Sequence, residues 1–235
     1  MTREETIWEN AESVRGRIRA ACAAAGRQEG EVTLVAVSKT YGAEDVRAAA
    51  AAGLRVFGEN RVQEAAGKIP LCPGGLRWDL IGHLQSNKAA AAVRWFDWIH
   101  SVDSADLLRR VDRLAGEAGK RMNVLLEVNV SGEISKSGMT PAALRETAKI
   151  VGDLRNVEVR GLMTVPPICG DPAEARPHFR ALRELREEVA EREGLDWPEL
   201  SMGMSHDFEV AIAEGATMVR VGTAIFGARD YGAKG

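Results

Sequence analysis

A lysine at the end of a buried strand is the residue of this chain best suited to covalent chemistry. Lys39 follows residues 32–38, VTLVAVS, whose β-branched content is typical of a strand buried on both faces. Apolar surroundings disfavour an ammonium ion, and a neutral amine attacks carbonyl carbon atoms to form a Schiff base. A solvated lysine just beyond a strand is the alternative interpretation of this stretch alone.

Two later segments combine glycine with hydroxyl side chains, a composition that suits phosphate binding. Residues 201–205, SMGMS, and the pair Gly222 and Thr223 each follow an apolar, strand-like run. Glycine lets backbone N–H groups approach phosphate oxygens closely, and serine or threonine adds a hydroxyl donor. Barrel enzymes often bind phosphate in the loops after their seventh and eighth strands. A tight turn without a ligand would explain Gly222 and Thr223 equally well if they stood alone.

These residues need a scaffold that brings strand ends together, and the order of elements predicts one. After an opening amphipathic helix near residues 3–25, strand-like and helix-like segments alternate almost to the end of the chain. The strands are predicted at 32–38, 54–58, 78–81, 98–101, 123–130, 159–163, 200–202 and 218–221. The count of eight favours a single (β/α)8 TIM barrel with an additional N-terminal helix, although an open doubly wound sheet has the same element order.

In such a barrel, the active site forms where the carboxyl ends of the strands meet. Lys39, Asn60 and His83 follow the first three predicted strands. Ser201 is predicted within the short seventh strand and is grouped with the segment 201–205 that leads into the following loop, and Arg220 is predicted at the end of the eighth strand. Polar residues also occur wherever a chain leaves the core, so this placement makes these residues candidates only.

A Schiff-base lysine that faces a phosphate site suggests pyridoxal 5′-phosphate (PLP) as the cofactor. The aldehyde would join Lys39, and Arg220 would lie near the pyridine ring. An arginine there keeps the ring nitrogen unprotonated, because two positive charges in contact are unfavourable. The alternative for Arg220 is an ion pair inside the barrel, with Glu59 as the candidate partner.

Composition narrows the classes of partner and location. The 235 residues carry a net charge of −3 without a basic stripe, so no nucleic-acid partner is predicted. No apolar stretch reaches the roughly 18 residues of a membrane span, and the N-terminus lacks the apolar core of a secretion signal. Three widely separated cysteines give neither a metal pattern nor a disulfide framework. We therefore expect a cytoplasmic protein without a metal site, folded as one domain over residues 1–235.

Six stretches of the chain resemble the YggS/PROSC family, the pyridoxal phosphate homeostasis proteins. They are 34–40 (LVAVSKT), 57–64 (FGENRVQE), 81–88 (IGHLQSNK), 161–163 (GLM), 200–205 (LSMGMS) and 219–227 (VRVGTAIFG). They keep the family's order over nearly the whole chain, with small departures at His206 and Phe208. The resemblance implies a fold-type III PLP-binding barrel, like the N-terminal domain of alanine racemase, with PLP on Lys39.

The resemblance also implies the other cofactor-binding residues. They are Ser201, Gly222 and Thr223 for the phosphate, Arg220 for the ring nitrogen, and Asn60 and His83 as further pocket residues. Family members are regarded as regulators or carriers of the cofactor, without an established catalytic activity. We therefore expect a monomer that holds, buffers or delivers PLP, with cofactor-free PLP enzymes as acceptors and with no catalytic residues.

A PLP-dependent amino-acid racemase or decarboxylase is the main alternative function. Racemisation needs a second acid/base group across the substrate from the lysine, and in the related racemases a tyrosine from an additional domain supplies it. Here the tyrosines are Tyr41, predicted at the loop rim, and Tyr231 in the tail. A barrel enzyme whose lysine forms a Schiff base with a sugar phosphate is a further alternative. Lys136 is predicted on a surface loop, or else at the rim as a lysine that accepts or relays the aldehyde.

Overall fold

Eight parallel strands close into a barrel in this computed structural model, which describes residues 1–133, 136–167 and 170–228. The strands are β1 Thr33–Val37, β2 Val56–Glu59, β3 Arg77–Leu80, β4 Trp98–Val102, β5 Met122–Glu127, β6 Val157–Met163, β7 Glu199–Met204 and β8 Met218–Val221. The α-helices are α1 Arg3–Ala24, α2 Ala43–Ala51, α3 Val62–Lys68, α4 Ala89–Trp95, α5 Ala105–Glu117, α6 Pro141–Ala148, α7 Arg176–Glu193, α8 Phe208–Ala213 and α9 Thr223–Phe226. Because β1 also pairs with β8, with Ala36 beside Val221, the predicted barrel is confirmed and the open sheet is excluded.

The strand bounds differ from the predicted ones by a few residues, and two of the differences affect the site. β5 ends at Glu127, because Val128 makes only an isolated bridge to Met139. β7 continues to Met204 across an irregularity in its pairing with β8, so Ser201 lies inside the strand. The predicted strand at 200–202 already contains Ser201, and this position is confirmed, whereas the grouping of Ser201 with the following loop is wrong.

Side chains inside the barrel form a small apolar cluster that fixes which strand positions point inward. The cluster contains Val35, Leu125, Met163 and Met218, separate from the larger core between the barrel and its helices. Successive side chains of a strand point to opposite faces, so residues two positions further along also face the interior. On this basis Glu127 follows Leu125 inward in β5, and Arg220 follows Met218 inward in β8.

The N-terminal helix holds the short helix that follows β8. α1 begins at a capping box in which Thr2 accepts a hydrogen bond from Glu5 N and Glu5 accepts one from Thr2 N. It packs against α2, α8 and α9, and Asn10 Nδ2 donates to Ile225 O at 2.9 Å. The additional N-terminal helix therefore supports the end of the barrel where β8 and α9 meet. In the ranges described, no helix combines the length and apolarity that crossing a membrane requires.

Candidate functional site

Lys39 lies at the carboxyl end of the barrel, two residues beyond β1. Hydrogen bonding to β2 continues past the strand, since Ser38 N donates to Gly58 O at 3.0 Å. The alternation that places Val35 inside the barrel therefore continues, and it directs position 39 toward the interior. Lys39 is partly buried there.

A buried ion cluster holds the backbone on one side of Lys39. Lys68 Nζ donates to Ser38 O at 2.8 Å and to Glu59 Oε1 at 2.6 Å. Ser38 Oγ donates to the same Glu59 oxygen at 2.6 Å. Burial raises the pKa of the Glu59 carboxyl, while the hydrogen bonds from Lys68 and Ser38 act in the opposite direction. We refer to Ser38, Glu59, Glu64 and Lys68 as the Lys68 clamp.

The same clamp holds the backbone on the other side of Lys39. Lys68 Nζ also donates to Glu64 Oε1 at 3.0 Å, and this oxygen accepts a hydrogen bond from Thr40 N at 2.5 Å. Thr40 has a φ of 72°, a left-handed conformation that is uncommon for residues other than glycine. Both neighbours of Lys39 are therefore bound to one buried ammonium–carboxylate cluster, which fixes the position of the intervening residue.

A second polar network crosses the barrel interior and ends at Arg220. The Arg220 guanidinium donates to Ser201 Oγ at 2.7 Å and to Thr164 O at 2.9 Å. Ser201 Oγ lies 3.0 Å from His100 Nδ1, and His100 Nε2 lies 3.2 Å from Asp79 Oδ2. Arg77 then bonds to both oxygens of Asp79, at 2.8 and 2.9 Å. We refer to Arg77, Asp79, His100, Ser201 and Arg220 as the Arg220 chain.

The protonation states along the Arg220 chain follow from its contacts. Burial lowers the pKa of His100, which favours a neutral ring. With the ring proton on Nε2 facing Asp79, Nδ1 can accept from the Ser201 hydroxyl, whose oxygen accepts from Arg220. Burial also lowers the pKa of Arg220, to about 10, so the guanidinium stays cationic at neutral pH. The predicted alternative of an Arg220–Glu59 ion pair is wrong, because Glu59 belongs to the Lys68 clamp.

Gly222 brings the end of β8 against the end of β1. A Cβ atom at this position would lie 3.3 Å from both the Cβ and the carbonyl oxygen of Val37, so glycine permits the close approach. Gly222 N and Ala224 N point at Ser205 Oγ, at 3.1 and 3.5 Å. The exposed Thr223 begins α9 between them. Gly222 and Thr223 are thus direct neighbours of the Lys39 segment, beside it in the barrel wall.

Ser201 and Ser205, grouped in one segment from the sequence, lie in different environments. The Ser201 hydroxyl is fully buried and bonded to Arg220 and His100. Ser205 lies in the loop and accepts from the backbone of the Gly222 turn. The phosphate role of Ser201 remains a prediction that this geometry disfavours, and Ser205 is the better candidate. A glycine between them, Gly203, has a φ of 90° and marks the irregularity that ends the regular alternation.

Asn60 and His83 lie together on the neighbouring side of the barrel mouth. Gly82 packs so closely on Asn60 that a Cβ atom there would lie 2.7 Å from the Asn60 Cα. Both predicted residues line a cavity of about 570 Å³, which Arg61 and Lys88 also line. His83 is half-exposed, with Nδ1 3.2 Å from Asp103 Oδ2. A cavity of this size is typical of small-molecule sites.

Two side chains that were candidates for proton transfer or relay have fixed partners. The Tyr41 ring stacks on Phe226 with centroids 4.9 Å apart, and its hydroxyl donates to Gly227 O at 2.8 Å. Lys136 Nζ donates to Pro166 O at 3.0 Å. Tyr231 lies outside the described residues. Tyr41 is therefore a link between the Lys39 loop and α9.

Three functional candidates could not be read from local sequence motifs. Lys68 and Glu64 reach the site from α3, and only the folded chain shows that they flank Lys39. Glu127 ends β5 as a buried carboxyl, and burial raises its pKa to about 7. The period-two alternation of β5 could have placed Glu127 inward, but its charge environment depends on residues of other strands.

Comparisons with known proteins agree with this arrangement. Residues 10–230 match the model of the family described as alanine racemase, N-terminal domain. The pyridoxal phosphate homeostasis protein of Pseudomonas aeruginosa is 50% identical over 229 residues, which cover 97% of this chain and 98% of that protein. The protein of the same name from Escherichia coli strain K12 is 43% identical over 237 residues, covering 97% of this chain and 99% of the relative.

A solved structure matches in both sequence and fold. PipY of Synechococcus elongatus PCC7942, with PLP bound, is 43% identical and superimposes with a TM-score of 0.83. The match covers 94% of this chain and all of that one. This chain therefore belongs to the alanine racemase N-terminal domain family and, within it, to the YggS/PROSC family of pyridoxal phosphate homeostasis proteins.

Proposed function

We propose that this protein binds PLP at the carboxyl end of its barrel, as a Schiff base on Lys39, and that it holds, buffers or delivers the cofactor. The observation that carries the proposal is the adjacency of Lys39 to the Gly222 turn and to the buried cation Arg220. An amine, a set of N–H donors and a guanidinium fit the aldehyde, the phosphate and the pyridine nitrogen respectively. The relatives' names and the PLP-bound PipY structure support the choice of cofactor.

Each residue has a distinct role in this proposal. Lys39 provides the amine, and the Lys68 clamp fixes its position. Gly222 N and the Thr223 hydroxyl bind the phosphate, with Ser205 in place of the predicted Ser201. Arg220 donates a hydrogen bond toward the ring nitrogen and keeps it unprotonated. Asn60 and His83 would be further pocket residues, contributed from the cavity at the ends of β2 and β3.

The Arg220 contact weakens the case for catalysis. Bound PLP can withdraw electrons from an attached amino group, and a protonated ring nitrogen strengthens this effect. A guanidinium opposes that protonation. Tyr41, the described tyrosine nearest Lys39 in the sequence, is held by Phe226 and Gly227. We therefore propose a binding protein without an assigned reaction, in preference to a racemase or decarboxylase. The printed names of the relatives support the same choice.

The remaining expectations belong to the same proposal. We propose that residues 1–235 form a single domain, that the protein is a monomer in the cytoplasm, and that cofactor-free PLP enzymes receive its cofactor. The family match over residues 10–230 supports the first of these.

Covalent attachment is the first test of the proposal. Loaded wild-type protein should be yellow, lose its visible band on borohydride reduction, and gain the mass of one reduced cofactor. Lys39→Ala should show no reduced adduct, whereas the control Lys136→Ala should show the wild-type adduct. A protein that develops no visible band with PLP would overturn the proposal, and an adduct retained on Lys39→Ala would place the linkage elsewhere.

Delivery of PLP to an acceptor enzyme requires a test separate from the binding test. The loaded protein is mixed with a cofactor-free PLP enzyme, and the recovery of enzyme activity is compared with spontaneous release into a PLP trap. Recovery faster than release would support direct delivery. Recovery at the release rate would restrict the function to holding and buffering.

A further inference from the structure

Glu127 is a buried carboxyl group at the mouth of the barrel whose chemistry the proposed function does not use. It ends β5, faces the interior, and is only 6% exposed. Its Oε2 atom has no hydrogen-bond partner among the described residues. A buried polar atom without a partner destabilises the folded protein, because it has lost its hydrogen bonds to water. An arrangement of this kind is explained when a ligand supplies the missing partner.

The position of Glu127 relative to Lys39 points to the same ligand. β5 is four strands away from β1 in a closed barrel of eight, so the two residues lie on opposite sides of the mouth. Arg220 is close enough to act electrostatically on Glu127. Arg220 starts on β8, next to β1, but its guanidinium reaches Thr164 O just beyond β6, and β6 pairs with β5. A cofactor that joins Lys39 and reaches this guanidinium would therefore extend across the interior toward β5.

We propose that Glu127 contacts the bound cofactor, and that filling the pocket adds one proton from solvent to each Glu127 carboxyl group that is ionised in the free protein. The inference rests on the proposed function, because PLP is the ligand that would bring the charge. PLP carries an anionic phosphate and a ring oxygen that is readily ionised. Negative charge beside a carboxylate favours its protonated form, and the neutral carboxyl can donate a hydrogen bond that the carboxylate cannot. The step consumes one proton and breaks no bond of the cofactor.

The charges around Glu127 set the pH at which this coupling operates. Burial raises its pKa to about 7; the negative charge of Asp103, just beyond β4, contributes in the same direction, and Arg220 opposes it. The buried His100 of β4 is neutral, since burial lowers its pKa.

Other charges near β5 lie away from this carboxyl. On β6, Glu158 pairs with Arg160 and lies beside Asn123 at the other end of β5. Lys136, beyond β5, donates to Pro166 O. Glu127 is therefore close to half-ionised at neutral pH in the free protein, and a neighbouring anion would shift it toward the neutral form.

Proton uptake on loading is the direct test. PLP is titrated into the wild type, Glu127→Gln and the control Glu158→Gln by calorimetry in buffers of different ionisation enthalpy. The Lys39 reaction contributes equally to all three proteins. The wild type and Glu158→Gln should take up more protons per bound PLP than Glu127→Gln. This difference should be near zero protons at pH 6 and should approach one proton at pH 8. Equal uptake by wild type and Glu127→Gln at every pH would overturn the inference.

Affinity provides an independent measurement of the same linkage. Above pH 7 the wild type should lose affinity relative to Glu127→Gln by up to about tenfold per pH unit, the limit for one coupled proton. If PLP affinity changes with pH in the same way in the two proteins, a direct contact between Glu127 and the cofactor is contradicted. If Glu127 had only a structural role, Glu127→Gln would change the folding stability but would leave the pH dependence of PLP affinity the same as in the wild type.

A second variant keeps the inference testable if Glu127→Gln does not fold. Asp103→Asn removes a negative charge that raises the pKa of Glu127. Glu127 should then ionise at a lower pH, and the onset of proton uptake should move down with it. An unchanged onset would contradict the inference. Absence of PLP binding to the wild type would overturn the proposed function as well, whereas binding without a contribution from Glu127 overturns the inference alone.

Discussion

Two buried cations of the described residues, Lys68 outside the barrel and Arg220 inside it, have different kinds of partner. Lys68 lies between the sheet and α3 and bonds to two carboxylates and a carbonyl oxygen. Arg220 lies inside the barrel and bonds to a hydroxyl and a carbonyl oxygen, both uncharged. The positive charge of Lys68 is balanced within the protein, while that of Arg220 is directed toward the mouth without a bonded counter-ion among these partners.

On the proposed function, this difference separates a structural cation, Lys68, from one that binds the ligand, Arg220. A buried ion is tolerated when its partners offset the cost of removing it from water. The Lys68 ammonium meets that condition without a ligand, although Glu59 Oε2 has no hydrogen-bond partner among the described residues, and the clamp fixes the backbone beside Lys39. The Arg220 contacts use two of the five N–H donors of a guanidinium. Loss of Lys68 should therefore damage the fold first, and loss of Arg220 should damage binding first.

Lys68→Met gives the largest expected effect. It leaves Glu59 buried without its cation, and the free energy of unfolding should fall by roughly 3–5 kcal/mol. Urea denaturation measures this loss. The control Lys149→Met breaks only the exposed pair with Glu146 and should change stability by about 1 kcal/mol or less. Similar losses for the two variants would remove the distinction between the clamp and an ordinary surface pair.

Arg220→Met should show the opposite order of effects. Loss of a charged hydrogen bond to the cofactor should weaken PLP binding by roughly 1.5–3 kcal/mol, or about 10- to 150-fold. Its unfolding free energy should change less than that of Lys68→Met. Equilibrium titration by visible absorbance measures the affinity, with the exposed Arg110→Met as the control. Wild-type affinity in Arg220→Met would show that Arg220 is as structural as Lys68.

Thr223→Val and Ser201→Ala compare a hydroxyl at the barrel mouth with a hydroxyl in the barrel interior, by their effects on PLP affinity and on stability. Thr223→Val removes a hydroxyl from the proposed phosphate site and should weaken binding by about 1.5–3 kcal/mol, with little change in stability. Ser201→Ala leaves Arg220 and His100 without their shared partner, so stability should fall by roughly 1–3 kcal/mol. Affinity titrations and urea denaturation on both proteins separate the two effects. A larger affinity loss for Ser201→Ala would restore the phosphate role predicted from the sequence.

Tyr41→Phe should have the smallest effect. It keeps the ring that stacks on Phe226 and removes only the hydroxyl that donates to Gly227 O. A neutral hydrogen bond contributes roughly 0.5–1.5 kcal/mol, which a small shift of the denaturation midpoint would reveal. Deuterium exchange at the α-carbon of added amino acids should be the same in Tyr41→Phe and wild type. A loss of exchange in the variant would make Tyr41 an acid/base group after all.

The sequence predicts the barrel well, because β-branched runs between helical segments are a local signal. The Lys39 and Gly222 positions follow from the same signal, since both stand directly after such runs. The predicted end of the seventh strand lies two residues too early, because the strand continues across Gly203 through its pairing with β8, and Ser201 was therefore grouped with the loop. The partners of Lys68 come from distant parts of the chain, and the charge state of Glu127 depends on Asp103 and Arg220. Contacts of this kind exist only after the barrel closes.

The anchoring of α9 has a consequence for the speed at which the protein can be loaded. Asn10 holds Ile225, Tyr41 holds Gly227, and Ser205 occupies the N–H groups of Gly222 and Ala224. An incoming phosphate therefore meets a turn that is already ordered, and it replaces one oxygen with another. Little conformational entropy is lost on arrival, so capture should be limited by diffusion and by the amine reaction, with no slow ordering of the turn beforehand.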